Sequence, residues 1–135
     1  MTGRTKTERV LWDYNRNLQR VYELRLALLD LSSAHSQSYG PHVVNGVSDA
    51  VADVVHKVIA LERKIAGAER EIQAVQQLKD SLDITDFDMY LLHIILTQRY
   101  IAHSKTEKII RENGLSKATY YRKKDQLLNM AEKYV

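Results

Sequence analysis

The chain has 135 residues, 44% apolar and 27% charged, with 20 basic against 17 acidic side chains and a formal net charge of +3. This is about one domain's length, and the composition is globular rather than disordered or collagen-like. Cysteine is absent, which excludes disulfides, thiolate nucleophiles and cysteine-based metal sites.

The opening stretch MTGRTKTERVLWDYNRN has no apolar core and does not read as a signal peptide. No run approaches the roughly eighteen apolar residues of a membrane span. The expected location is therefore cytoplasmic, with no membrane partner. Charge is unevenly placed. Residues 99–135 hold nine basic and four acidic residues, a net of +5, and the other 98 residues carry a net of −2. A localised basic surplus points to a polyanionic partner at that end.

The reading along the chain is all-helical, since no alternating run long enough for a strand occurs. The first helix is predicted from about Thr7 to Leu31. Val10, Tyr14, Val21, Leu24, Leu28 and Leu31 recur at spacings of three and four, with a polar gap at Asn17, the stripe of an amphipathic helix. The segment SSAHSQSYGPHVVNG, with Pro41 between Gly40 and Gly46, marks the break that follows.

The second helix is predicted from Ser48 or Asp49, either of which can cap it, to about Leu82. Val51, Val54, Val58, Leu61, Ile65, Ala68, Ile72, Val75 and Leu82 alternate as a and d positions of a heptad, with Lys79 the polar exception. Its seam needs a partner helix. The first helix, antiparallel within the chain, and a second copy both satisfy it. The second helix is longer than the first, which favours C-terminal packing on its last third or a homo-oligomer through residues 51–82.

A third helix is predicted near Thr85, with Thr85 and Asp88 at capping-box spacing and Ile84 stapling onto Met89. Its run FDMYLLHIILTQRYI is apolar on nearly all sides and belongs in the middle of a small bundle. Two short helices follow. Ser104 and Glu107 have capping-box spacing for the first, Gly114 ends it in a left-handed turn, and Ser116 caps the second. On the last helix, Tyr120, Leu127, Leu128, Ala131 and Tyr134 form the inner stripe. The expected architecture is thus a helical hairpin or coiled-coil module over 1–82 and a trihelical module over 83–135.

A helix, a tight glycine turn and a basic, serine-capped helix together outline a helix-turn-helix. Such a recognition helix fits the major groove and offers its N-terminal side chains to base edges. With Tyr120 and Leu127 inside, Lys117, Ala118, Tyr121, Arg122 and Asp125 face out, flanked by Thr119 and Lys123. Lys105, Lys108, Arg111 and Lys124 are expected on phosphates. Lys117, Thr119, Tyr121 and Arg122 are expected to read the groove, and Ser116 at the helix start is counted with them. Tyr120 and Tyr121 point about 100° apart, so only one can be core.

The run RYIAHSKTEKIIRENGLSKATYYRKKDQLL resembles the region 4 helix-turn-helix of bacterial sigma factors. It is more closely similar to phage regulators of the RinA and ArpU type. The matching residues are Arg99-Tyr100 ahead of the motif and Ser116, Thr119, Tyr120, Tyr121 and Arg122 within it. The upstream part resembles small Gram-positive phage proteins in which a helix leads through a serine-rich loop into a long helix. The resemblance implies a phage-encoded regulator of late packaging or lysis genes. It would bind double-stranded DNA and act with host RNA polymerase in the host cytoplasm. Ile110 and Asn113 depart from the sigma-like pattern, which usually has Ala and Leu there. Ile110 is expected to push the motif helices slightly apart, and Asn113 to cap.

Other chemistry has little support. Among His35, His42, His56, His93 and His103 no i, i+4 pair or HExxH occurs, and His93 reads as a hydrogen-bonded core histidine. Asp83, Asp86 and Asp88 suit a helix N-terminus better than a metal. Phosphate-binding glycine loops and a nucleophile elbow are absent. The expectation is no enzyme, no cofactor and no metal. Two other functions are weighed: a phage terminase small subunit, another DNA-binding oligomer, and a coiled-coil scaffold that does not bind DNA. Steep salt dependence of duplex binding separates the scaffold from the others.

Overall fold

The computed structural model describes residues 4–38 and 47–135, with side chains described over 4–32 and 51–135. Among the described residues the fold is all-α, with no strand. The helices are α1 (Lys6–Trp12), α2 (Tyr14–Ser38), α3 (Val47–Ser81), α4 (Phe87–Ile94), α5 (Thr106–Glu112) and α6 (Lys117–Ala131). A π-helical segment, Ile95–Ile101, continues α4. The glycine–proline segment at Gly40, Pro41 and Gly46, His35 and His42, and the caps expected at Ser48 or Asp49 lie outside the described residues or side chains. No described helix is long and apolar enough to cross a membrane.

The chain divides into two compact units, residues 1–17 with 70–135, and residues 18–69. This differs from a boundary at residue 82. The end of α3 and all of α1 belong with the C-terminal helices because their apolar faces share one core. That core comprises Val10 and Leu11 of α1, Val75, Leu78 and Leu82 from the end of α3, and Leu91, Leu92, Ile94, Ile95, Leu96, Tyr100, Ile109, Tyr120, Leu127 and Ala131.

The single first helix expected over Thr7–Leu31 is instead two. Asp13 (φ −89°, ψ 10°) closes α1, its N–H bonding back to Arg9 O at 2.9 Å. The break brings Val10 and Leu11 into the first unit's core. The polar gap at Asn17 also has a structural cause. Asn17 is buried and donates to the Glu71 carboxylate at 3.0 Å, so the site is satisfied rather than defective.

Residues 18–69 form an α2–α3 pair, joined across the helices by the Arg25–Glu69 ion pair. Val21, Ile65 and Ala68 are buried, while Leu24, Leu28, Leu31, Val51, Val54, Val58 and Leu61 are half-buried. The seam predicted from the heptads is therefore buried within the chain at Ile65, Ala68, Ile72, Val75 and Leu82 and half-buried at Val51, Val54, Val58 and Leu61.

At the start of α4, Asp86 rather than Thr85 is the N-cap, its carboxylate accepting from Asp88 N at 2.9 Å and Met89 N at 3.4 Å. Thr85 instead gives its hydroxyl and N–H to Asp83 at 2.6 and 2.9 Å, which holds that carboxyl below its usual range. Ile84 is exposed, so the expected staple onto Met89 does not form. The π turn has a local cause. The Thr97 hydroxyl donates to His93 O at 2.8 Å and Ile94 O at 3.3 Å, the acceptors a regular ladder would use, and such back-bonding loosens a helix. The ladder slips, and Ala102 N reaches Thr97 O at 2.9 Å.

Candidate nucleic-acid interface

Helix α5 ends in a Schellman turn. Asn113 is the C-cap, Gly114 N bonds Arg111 O at 3.4 Å, and Leu115 N bonds Ile110 O at 3.0 Å. Gly114 has φ +62°, and nothing lies within 4 Å of where a Cβ would sit, so backbone conformation alone demands glycine. Asn113 caps as expected, its side-chain amide donating to Ile109 O at 2.8 Å and Gln98 Oε1 at 3.3 Å. Ile110 and Leu115 are both half-buried and packed against the core, the apolar pair that usually accompanies this turn.

Ser116 caps α6, its Oγ accepting from Thr119 N at 3.0 Å and donating to Thr119 Oγ1 at 2.8 Å. The expected Ser104–Glu107 box at the start of α5 does not form. Lys105 occupies the N-cap there, with no side-chain cap bond. Ser104 instead serves the preceding turn: its N–H bonds Gln98 O at 2.8 Å and its carbonyl accepts from Arg99 at 3.0 Å.

The inner and outer faces of α6 are well separated. Tyr120, Leu127 and Ala131 are buried, with Leu128 and Tyr134 half-buried. Lys117, Ala118, Tyr121, Arg122 and Asp125 are exposed, within one sector of about 140°. Tyr120 is thus the core tyrosine and Tyr121 the outer one, their rings edge-on at 5.2 Å. Of the nine candidate residues, Lys105, Lys108, Arg111, Ser116, Lys117, Tyr121 and Arg122 are exposed, and Thr119 and Lys124 are half-buried.

Two lysines of the outer-face reading belong to the fold. Lys124 lies 3.5 Å from Glu8 and 5.8 Å from the Tyr121 ring centroid. Lys123 is buried and bonds Asp88 at 3.0 Å. Each is held by a carboxylate from a distant part of the chain.

Residues that sequence reasoning missed brace the motif from behind. The Glu8 carboxylate, besides meeting Lys124, accepts from the buried Tyr100 hydroxyl at 3.2 Å. Burial, then the Glu8 charge, raises the Tyr100 pKa well above its ordinary value. The Trp12 ring stacks on His103 at 3.8 Å, with guanidiniums of Arg4 and Arg99 at 4.0 and 4.8 Å from its centroid. His103 adopts φ +58°, and its ring bonds Trp12 O at 2.8 Å. Stack and hydrogen bond together hold a backbone conformation that a non-glycine residue seldom takes. No local pattern marks these partners, because they are some ninety residues apart.

Among the described residues, the buried atoms His93 Nδ1 and Tyr120 Oη have no hydrogen-bond partner. The expected hydrogen-bonded core histidine is therefore only half realised, and burial raises the Tyr120 pKa. Among the described residues no group of histidine and carboxylate side chains is arranged to hold a metal. No family model matches the chain, and no curated protein or solved structure is significantly similar to it.

Proposed function

We propose that the protein binds double-stranded DNA through α5 and α6 as a helix-turn-helix. The observation that carries this reading is the outer face of α6. Lys117, Tyr121 and Arg122 stand exposed in its first two turns, behind a serine cap and a left-handed glycine turn, while the opposite side is locked into the core. A helix so presented can enter a major groove without rearrangement. Its N-terminal amides favour phosphate, and exposed Lys105, Lys108 and Arg111 supply further cations for the backbone. Arg122 and Lys117 have the donors that pair with guanine. Lys124 is left to brace the motif rather than to contact phosphate directly.

The resemblance of residues 99–128 to phage late-gene regulators narrows the proposal to control of transcription, with host RNA polymerase as a further partner. The test is duplex binding by the full chain across salt concentrations. Affinity should fall steeply with salt as phosphate contacts release counterions. Arg122→Ala should weaken the preferred duplex by about 1–3 kcal/mol and relax sequence preference, leaving thermal stability unchanged. Salt-independent binding, or none in dilute buffer, overturns the proposal.

A further inference from the structure

We infer that Arg4, Arg99 and His103, gathered around Trp12, form a second contact to the phosphate backbone of duplex DNA, outside the helix-turn-helix itself. The inference rests on the duplex-binding reading and extends its footprint to the residues ahead of α1. The guanidinium carbons of Arg4 and Arg99 lie 4.0 and 4.8 Å from the Trp12 ring centroid, and the His103 ring stacks on Trp12 at 3.8 Å. Two full positive charges are thus held at one aromatic side chain. The negative face of the ring offsets part of their repulsion, but among the described residues neither arginine forms an ion pair. Glu8, one turn away on α1, is already engaged by Tyr100 and Lys124. Asp13, next to Trp12 in the chain, pairs with neither arginine. An anion arriving from solvent therefore meets two cations whose charge the fold leaves open. Arg4 and His103 are exposed, so it can reach them.

The backbone is distorted on both sides of this cluster. Arg99 belongs to the π segment Ile95–Ile101, and His103 holds φ +58°. Both conformations are uncommon and concentrate at functional sites. Together they bring the Arg99 guanidinium to Ser104 O at 3.0 Å, immediately before Lys105. Lys105 and Lys108, exposed at the start of α5 and three residues apart, continue the positive surface. On the other side, Glu8 ties α1 to Lys124, which lies 5.8 Å from the ring centroid of Tyr121 on the outer face of α6. The cluster thus adjoins both helices of the motif. Phosphate is the chemistry that fits. Guanidiniums present planar donors to its oxygens, and a duplex strand supplies such groups in series. A phosphate contact carries affinity rather than sequence preference.

The test is duplex binding by the full chain at several salt concentrations, with Trp12, the one tryptophan, as an internal probe. Arg4 is exposed ahead of α1, so Arg4→Gln should keep the wild-type helicity and melting temperature. It should weaken every duplex alike, by roughly three- to tenfold, and lower the slope of log affinity against log salt by about 0.9. The order of preferred sequences should stay the same. Arg4→Lys keeps the charge and should keep the slope. Arg63→Gln, which removes the same charge from an exposed position of α3, should change neither affinity nor slope. Trp12 emission should change as the wild-type chain is saturated with duplex. Wild-type affinity and slope in Arg4→Gln, equal losses in Arg4→Gln and Arg63→Gln, a lowered slope in Arg4→Lys, or an unmoved Trp12 emission overturns the inference. In each of those cases, salt-dependent binding that Arg122→Ala weakens leaves the groove reading standing. A wild-type chain that binds no duplex overturns both.

Discussion

The two compact units are built from the same kind of helix but reach different packing. In the unit of residues 1–17 and 70–135, Leu78, Leu92, Ile95, Leu96, Ile109, Tyr120 and Leu127 are all fully buried, gathered from α3, α4, the π segment, α5 and α6. In the unit of residues 18–69, only Val21, Ile65 and Ala68 are buried among the described residues. Two helices can shield one seam from two sides at most. Several short helices crossing at different angles can surround a side chain completely. The regular heptad is therefore the weaker source of burial here, and the irregular C-terminal helices are the stronger.

Four measurements sharpen that contrast. Leu92→Ala should cost about 3–5 kcal/mol by denaturant unfolding, the range for a deep truncation that leaves a cavity. Val58→Ala, at a half-buried seam position, should cost about 1 kcal/mol or less, and equal losses would erase the distinction. Alkaline titration should also separate the units. The folded chain keeps the Tyr100 proton where the unfolded chain, titrating near pH 10, has lost it. This contribution is intact below about pH 10 and falls by up to about 1.4 kcal/mol per unit above it. Tyr100→Phe should flatten that slope in a pH series of unfolding curves. Glu8→Ala leaves the Tyr100 hydroxyl without its acceptor and Lys124 without its counter-ion, a loss of about 1–3 kcal/mol. It should also loosen α6, read as faster amide exchange. Gly114→Ala should cost about 1 kcal/mol through backbone strain alone, because space for the methyl group is open. Gly114→Asn, which tolerates φ > 0 better, should cost less.

Legibility in the sequence followed the range of the interaction. The seam of α2 and α3, the left-handed Gly114, the serine cap of α6 and the inward Tyr120 all rest on neighbours within a few residues, and each is visible as spacing. The start of α4 falls one residue after the Thr85 that its capping-box spacing to Asp88 predicts, with Asp86 as the N-cap. Asp83 settles it by engaging Thr85, a contest no propensity ranks. The break at Asp13 and the burial of Lys123 were hidden for a different reason. Val10 and Leu11 look like one more turn of an amphipathic helix until a core formed by residues 75–131 is present to receive them. Lys123 looks like surface until Asp88 stands beside it. At the candidate interface, the outward side chains of α6 were readable, and the supports behind them at Glu8, Trp12 and His103 were not.

The link from Glu8 to Tyr100 and Lys124 has a consequence for synthesis. Helix α1 leaves the ribosome early, yet its docking site does not exist until residues more than ninety positions later have emerged. Closing so large a loop is slow compared with forming a helix. The nascent α1 must therefore wait with Val10, Leu11 and Trp12 uncovered, a window in which a holding chaperone would have most to grip.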